Sequence, residues 1–397
     1  MTAAMMSNAP LNIYVFHRSY FCGKMLAYLR YKEIPHTPIY QSLAYVGGKI
    51  ARNTGLRQLP VIELADGRWM NDTTPMMEWL ETQHERSPVL SGDPVTDFFV
   101  RLLEDYADEW LWRPAILSRW QNKVDRQLYM SMFVKEFLGG IWASSAVATR
   151  IAGHLVHRHQ RQKFLQGDGM TKHNREHVWA IYTNTLDRLE AIFREQPYLL
   201  GDKPCFADFG FFGSMFWHFG NDPTPNRIMQ ERAPAVYEWV ARLWNMTATK
   251  AADKTFSIAP GEAPPKWHLL LKDVCEAYLP YLHRNALAFR DGVTRFDYDV
   301  QGYTYPNVHV SPYRVWYRER LQQHLYRLSP EQQGQVRQIL EPLGGWAALT
   351  GDSNITSGWD EEGIAPFCKP AHISLAWHFK APFVGSNHIR STRAWRT

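Results

Sequence analysis

The chain has 397 residues, 45% of them hydrophobic and 21% charged, enough apolar material for two or three buried cores. No run of about 18 apolar residues occurs. The opening stretch MTAAMMSNAPLN lacks the charged start and apolar core of a secretory leader, so a soluble cytoplasmic protein with no membrane partner is expected. The formal charge is +5, and Lys369, Lys380, Arg390, Arg393 and Arg396, beyond Glu362, account for all of it. That leaves no basic domain for a nucleic acid and makes the tail a solvated or loosely docked end.

In chain order, LNIYVF (11–16) suits a buried strand, and VFHRSYFCGKM turns from that strand through a tight bend into a helix with Met25, Leu26 and Leu29 at helical spacing. HTPIYQ reads as a second strand, and LPVIEL and GRWMN as two short strands joined by a turn at Ala65, Asp66 and Gly67. DTTPMMEWLETQ opens with capping chemistry at Asp72 or Thr73 and a tolerated Pro75. After SPVLSGDPV the pattern becomes helical. TDFFVRLLEDYADEWLWRPAILSRW predicts a helix of two dozen residues, and KHNREHVWAIYTNTLDRLEAIFREQ, DFGFFGSMFWHFG and APAVYEWVARLWNM follow it. SIAPGEAPPKW is a linker. Beyond it lie a helical stretch, the hairpin pattern TRFDYDVQGYTYPNVHV, the helix SPYRVWYRERLQQHLYRL, and SPEQQGQVRQIL with a capping box from Ser329 to Gln332. Residues past 350 carry no assignable pattern.

Cys22, Cys205, Cys275 and Cys368 are far apart and form no C-x-x-C pair, which argues against a disulfide framework and a thiolate zinc site. His154 and His157 in GHLVHRHQ share a helical face but have no carboxylate or cysteine beside them, so no metal is expected. The acidic run Glu104, Asp105, Asp108 and Glu109 reads as a solvated or partner-facing helix edge beside Arg101 and Arg113.

The order of the bend around Ser19, LRQLPVIEL and NDTTPMMEWLE resembles the N-terminal half of the cytosolic glutathione S-transferases. A weaker match is YLLGDKPCFADFGFFGSMF, which resembles their buried C-terminal helix, with Cys205 where the family has a Ser or Thr cap and Asp208 in place. A thiol is a poorer cap than a hydroxyl. The resemblance implies an α/β plus all-α fold: a thioredoxin-like domain with a mixed four-stranded sheet (1–85), an all-helical domain (95–255) and an extension of unknown role (266–397). It also implies a homodimer and glutathione as cofactor. The extension would roof the interdomain cleft or extend the dimer contact.

On this resemblance Ser19 stands at the catalytic position and would donate a hydrogen bond to the glutathione sulfur. Pro60 would be a cis-proline, leaving the Leu59 backbone to pair with the cysteinyl part. Asp72 and Thr73 would hold the γ-glutamyl end at a helix N-terminus, and Gln58 is a candidate for a further polar contact. Tyr106, Trp110, Arg113 and Trp120 would line the pocket of a small hydrophobic or aromatic electrophile. Two readings from other classes stay open: a non-catalytic interaction scaffold on the same fold, and a thiol oxidoreductase working through Cys22, a thiol in a first helical turn.

Overall fold

The computed structural model describes residues 10–41, 46–138 and 145–370. The N-terminal stretch 1–9 and the basic tail from Lys380 onward lie outside the described residues. β1 (Leu11–Val15), α1 (Tyr20–Tyr31), β2 (His36–Tyr40), the short α2 (Ala51–Thr54), β3 (Val61–Glu63), β4 (Trp69–Asn71) and α3 (Thr73–Gln83) form the first unit. Ile13, Tyr14 and Val15 are buried, and such β-branched and aromatic side chains favour a strand packed on both faces. The sheet runs β2-β1-β3-β4, with β1 and β2 parallel and the other pairs antiparallel. A parallel pair needs a crossover, and α1 supplies it.

Register then decides where the chemistry gathers. Tyr14 faces Val61 and Val61 faces Asn71, so the end of β1, the start of β3 and the end of β4 lie at one edge. Ser19, Leu59-Pro60 and Asp72 follow from those three strand ends.

The helical unit contains α4 (Pro94–Glu109), α5 (Trp112–Gln121), α6 (Lys123–Leu138), α7 (Ala146–Gln160), α8 (Arg175–Phe193), α9 (Phe206–Ser214), α10 (Pro223–Arg232) and α11 (Pro234–Trp244). The single long helix expected from TDFF to SRW is broken between α4 and α5. Pro114 has no N-H to give the Trp110 carbonyl, which accepts instead from Arg113 at 3.3 Å. α9 crosses α4 at Gly210, where a Cβ would stand 3.0 Å from the Glu104 Cα, so the glycine is what lets the two backbones meet. The weak cap at Cys205 is compensated: the Asp208 carboxylate accepts from the Cys205 N-H at 2.9 Å, the Leu199 N-H at 3.1 Å and the Trp239 indole at 3.0 Å. Burial pushes its pKa up to about 6 against those bonds.

The extension adds α12 (His268–Asp273), a turn at Val274–Tyr278, α13 (Leu279–Arg290), β5 (Arg295–Val300), β6 (Tyr303–His309), α14 (Pro312–Tyr326), α15 (Pro330–Leu340) and α16 (Gly345–Thr350). β5 and β6 form the expected hairpin, closed by Gln301 and Gly302, both at positive φ. The capping box at α15 forms: Gln332 N-H donates to Ser329 Oγ at 3.3 Å, and Ser329 N-H to Gln332 Oε1 at 2.9 Å. α14 and α15 pack on α4. The unassigned stretch past 350 returns to the sheet, where Asn71 N-H donates to the Pro366 carbonyl at 3.0 Å and Cys368 N-H to that of Trp69 at 2.8 Å. Those bonds cover the outer edge of β4.

Candidate active site

At the first corner the chain leaves β1 through a bend in which Arg18 has a positive φ of 58°. A buried guanidinium from the helical unit holds that bend. Arg119 pairs with Asp222 (Nε to Oδ2 at 2.7 Å, Nη2 to Oδ1 at 3.2 Å), stacks 4.2 Å from the Tyr129 ring, and donates from Nη1 to the Arg18 carbonyl at 3.1 Å. Burial and then the Arg119 charge hold His218 well below its ordinary pKa. The neutral ring therefore accepts at Nε2 from Arg119 at 3.0 Å, and its Nδ1 faces the Ala115 carbonyl at 3.3 Å.

Ser19 is the N-cap residue of α1, extended at φ −83° and ψ 128°, half-buried, and its side chain makes no capping bond. Its carbonyl accepts from the Gly23 N-H at 3.0 Å. The Cys22 sulfur is buried, with the Ser19 hydroxyl and the Phe16 backbone within hydrogen-bonding reach. Burial outweighs both and pushes the thiol up to about 12. At neutral pH Cys22 is a protonated packing residue and not the depressed thiol that the oxidoreductase reading requires, because burial outweighs the bonds that would favour the thiolate.

At the middle of the edge the Leu59-Pro60 peptide is cis. Leu59 is half-buried, and among the described residues neither its N-H nor its carbonyl has a hydrogen-bond partner. Gln58 Oε1 accepts from Asn71 Nδ2 at 3.3 Å.

The far end differs. Asp72 sits at φ 74°, a region costly for a residue with a Cβ, and caps α3 through its carbonyl, which accepts from Met76 N-H at 3.0 Å. Its side chain does not cap. The carboxylate accepts from Tyr313 OH at 2.9 Å and from Tyr317 OH at 3.3 Å, both on α14 of the extension. Burial raises the Asp72 pKa, opposed by the charge of Arg320 and the Tyr313 bond. Thr73 is buried beside it.

Beneath this corner the acidic run of α4 is buried, which corrects the expected solvated edge. Lys24 of α1 crosses to it and spends its three N-H donors on Glu104, on Asp108 at 2.5 Å and on Thr74 at 3.2 Å. Thr74 in turn donates to Glu104 at 2.6 Å. Glu109 and Asp168 share Arg314 of α14, at 3.0 and 2.8 Å. Burial, then the charges of Glu104 and Glu109, lift Asp105 well above the carboxylate range. The run reads as solvated from its charges alone; the cations that permit its burial come from α1 and α14.

The aromatic wall proposed for the electrophile is also filled. Tyr106, Trp110 and Arg113 are each about 1% exposed. Tyr278 packs on Tyr106 and Trp110 at ring distances of 5.9 and 6.2 Å, and the Arg113 guanidinium is sandwiched between Trp110 and Tyr281 at 4.3 and 4.4 Å. Trp120 lies elsewhere, against Tyr129 and His157. Their helical spacing marks a face correctly, and the extension is what covers it. Sequence reasoning missed Tyr313, Tyr317, Lys24 and Arg119. The available signal was a lysine inside the otherwise apolar CGKMLAY and two tyrosines four residues apart on one helix.

A thioredoxin-like sheet followed by a helical unit, with a cis-proline beside the first helix, defines the fold class. Residues 13–88 match the glutathione S-transferase N-terminal domain and residues 180–246 the glutathione S-transferase C-terminal domain. The chain thus carries, in the family's order, regions that match both domains of the glutathione S-transferases. Among solved structures, the β-etherase LigF from Sphingobium sp. strain SYK-6 is 16% identical, with a TM-score of 0.42 over 62% of this chain and 98% of that one. A glutathione S-transferase from Rhodospirillum rubrum F11 is 17% identical, TM-score 0.37, over 65% and 97%. One from Methylobacterium radiotolerans in complex with glutathione sulfonate is 15% identical, TM-score 0.39, over 63% and 97%. No curated protein matches significantly.

Proposed function

We propose that this protein is a glutathione-dependent transferase that binds the tripeptide along the edge from Ser19 to Asp72. The observation that carries the reading is the N-H and carbonyl of Leu59, without a partner among the described residues, next to a half-buried Ser19 at a helix N-terminus. An extended peptide can add to such a backbone as a strand does. Free glutathione thiol, with a pKa of about 8.5, is only a few per cent thiolate at pH 7. A drop of about two units needs about 2.7 kcal/mol of selective stabilisation, and the Ser19 hydroxyl with the α1 N-terminus, at about 1 to 2 kcal/mol each, supplies it. Asp72, Thr73 and Gln58 would receive the γ-glutamyl end. With the Tyr106 face filled, the electrophile would approach over Phe21, in the first turn after Ser19, and over Trp112 and Phe164, which continue from it as a chain of half-buried rings. Conjugation, thiolytic cleavage and isomerisation all start from the thiolate.

A second reading has its own support: the two tyrosine bonds on Asp72 occupy the carboxylate that the ammonium would need, as in a scaffold that has lost the ligand. Retention on immobilised glutathione, followed by the ultraviolet thiolate band of the bound peptide in the wild type and Ser19→Ala, separates the two. The transferase reading expects retention by both and the band only in the wild type. No retention by the wild type establishes the scaffold.

A further inference from the structure

The helix pair α6 and α7 carries an apolar and basic face that the transferase reading does not use. Eleven large hydrophobic side chains are exposed among the described residues, and five of them, Val124, Met132, Val147, Ile151 and Leu155, lie on this pair. Val147, Ile151 and Leu155 recur every four residues, hence on one face of α7, at 70%, 58% and 48% exposure. The opposite face is already packed: Val156 is buried, and a Cβ on Gly153 would meet Met130 of α6 at 3.0 Å. The exposed stripe is therefore surplus to folding.

Its charge is one-sided. No acidic residue occurs between Glu136 and Asp168. Those two are engaged elsewhere, with His17 and with Arg314. Arg150, Arg158 and Arg161 are exposed beside the stripe, and among the described residues none has a carboxylate partner.

We propose that this face docks the protein on an anionic lipid surface, with the aliphatic side chains at the boundary of headgroups and acyl chains and the guanidinium groups on lipid phosphates. No described helix is long and apolar enough to cross a membrane, so the contact is peripheral. A second copy is a poor occupant, because two such faces would bring six guanidinium groups together. The same helix pair closes the Ser19 bend, through Phe133 on Phe16 at 5.7 Å and Glu136 on His17 at 3.2 Å, so docking sets the candidate site close to the lipid.

Co-sedimentation of the full chain with phosphatidylcholine vesicles, with and without phosphatidylglycerol, tests this. The wild type should bind the anionic vesicles and be released as salt rises. Replacing Arg150, Arg158 and Arg161 together by Ser should weaken binding on the order of a hundredfold, since each cation near such a surface is worth about 1 kcal/mol. Ile151→Ser with Leu155→Ser should weaken binding to the same vesicles at low salt, where the wild type is bound. All these side chains are exposed, so an unchanged melting curve is expected. Equal binding to neutral vesicles, or no effect of the arginine variant, overturns the proposal. Capture by soluble polyglutamate as strong as by vesicles reassigns the face to an acidic protein, and a dimer that Ile151→Ser with Leu155→Ser converts to monomer reassigns it to a second copy.

Discussion

The two ends of the candidate site are built in opposite ways. At the Ser19 end the bend is braced from behind by the buried Arg119 and Asp222 pair, while the Leu59 backbone in front of it has no partner among the described residues. At the Asp72 end the carboxylate is already bonded by two tyrosines, and the ionic network of Lys24, Glu104 and Asp108 lies beneath it. One end keeps hydrogen-bonding capacity for a ligand, and the other satisfies it internally with residues of the extension. A peptide that binds along this edge pairs freely at its cysteinyl part and must compete at its amino end.

The largest effect should come from removing the support beneath the closed end. Lys24→Met leaves Glu104 and Asp108 buried without their cation and should cost about 3 to 5 kcal/mol in a urea titration. A loss below about 1 kcal/mol, typical of a surface pair, would mean the network is solvated and the contrast is not real. At the open end, Ser19→Ala should lower kcat/KM for a glutathione-dependent conjugation about five- to thirtyfold through loss of one charge-assisted hydrogen bond. An unchanged rate would remove the hydroxyl from the mechanism.

Tyr313→Phe addresses the contrast directly. Freeing Asp72 Oδ2 from a competing donor should tighten glutathione binding about two- to tenfold by calorimetry. Weaker binding would instead make Tyr313 part of the ligand's own site, and the two ends would then be alike. The smallest effect is expected from Cys22→Ala. A thiol that burial keeps protonated should change turnover less than about twofold, and abolished activity would revive the oxidoreductase reading.

Much of the open end was legible beforehand. A strand, a bend and a helix in VFHRSYFCGKM, and an X-Pro before VIEL, are local patterns whose geometry depends on residues within a few positions of one another. The closed end was not. Tyr313 lies 241 positions from Asp72, and nothing in NDTTPMM announces it. The reading of Glu104 to Glu109 as a solvated edge failed for the same reason: a charge run is solvated by default, and only Lys24 and Arg314, supplied from distant helices, make its burial affordable. The stripe of Tyr106, Trp110 and Arg113 across the junction of α4 and α5 was recognised as a face but assigned to a ligand, because spacing tells which side chains point together and not what meets them.

The amino-acid sequence by itself determined the order of the strands, the hairpin, the capping box at Ser329 and the bend that carries Ser19, since each follows from periodicity, capping and turn chemistry between near neighbours. Tertiary structure alone decided which charges are buried, what covers α4 and which hydroxyls sit on Asp72. Those are pairings between segments 80 to 245 positions apart, and their energies depend on desolvation and geometry that exist only once the segments have packed.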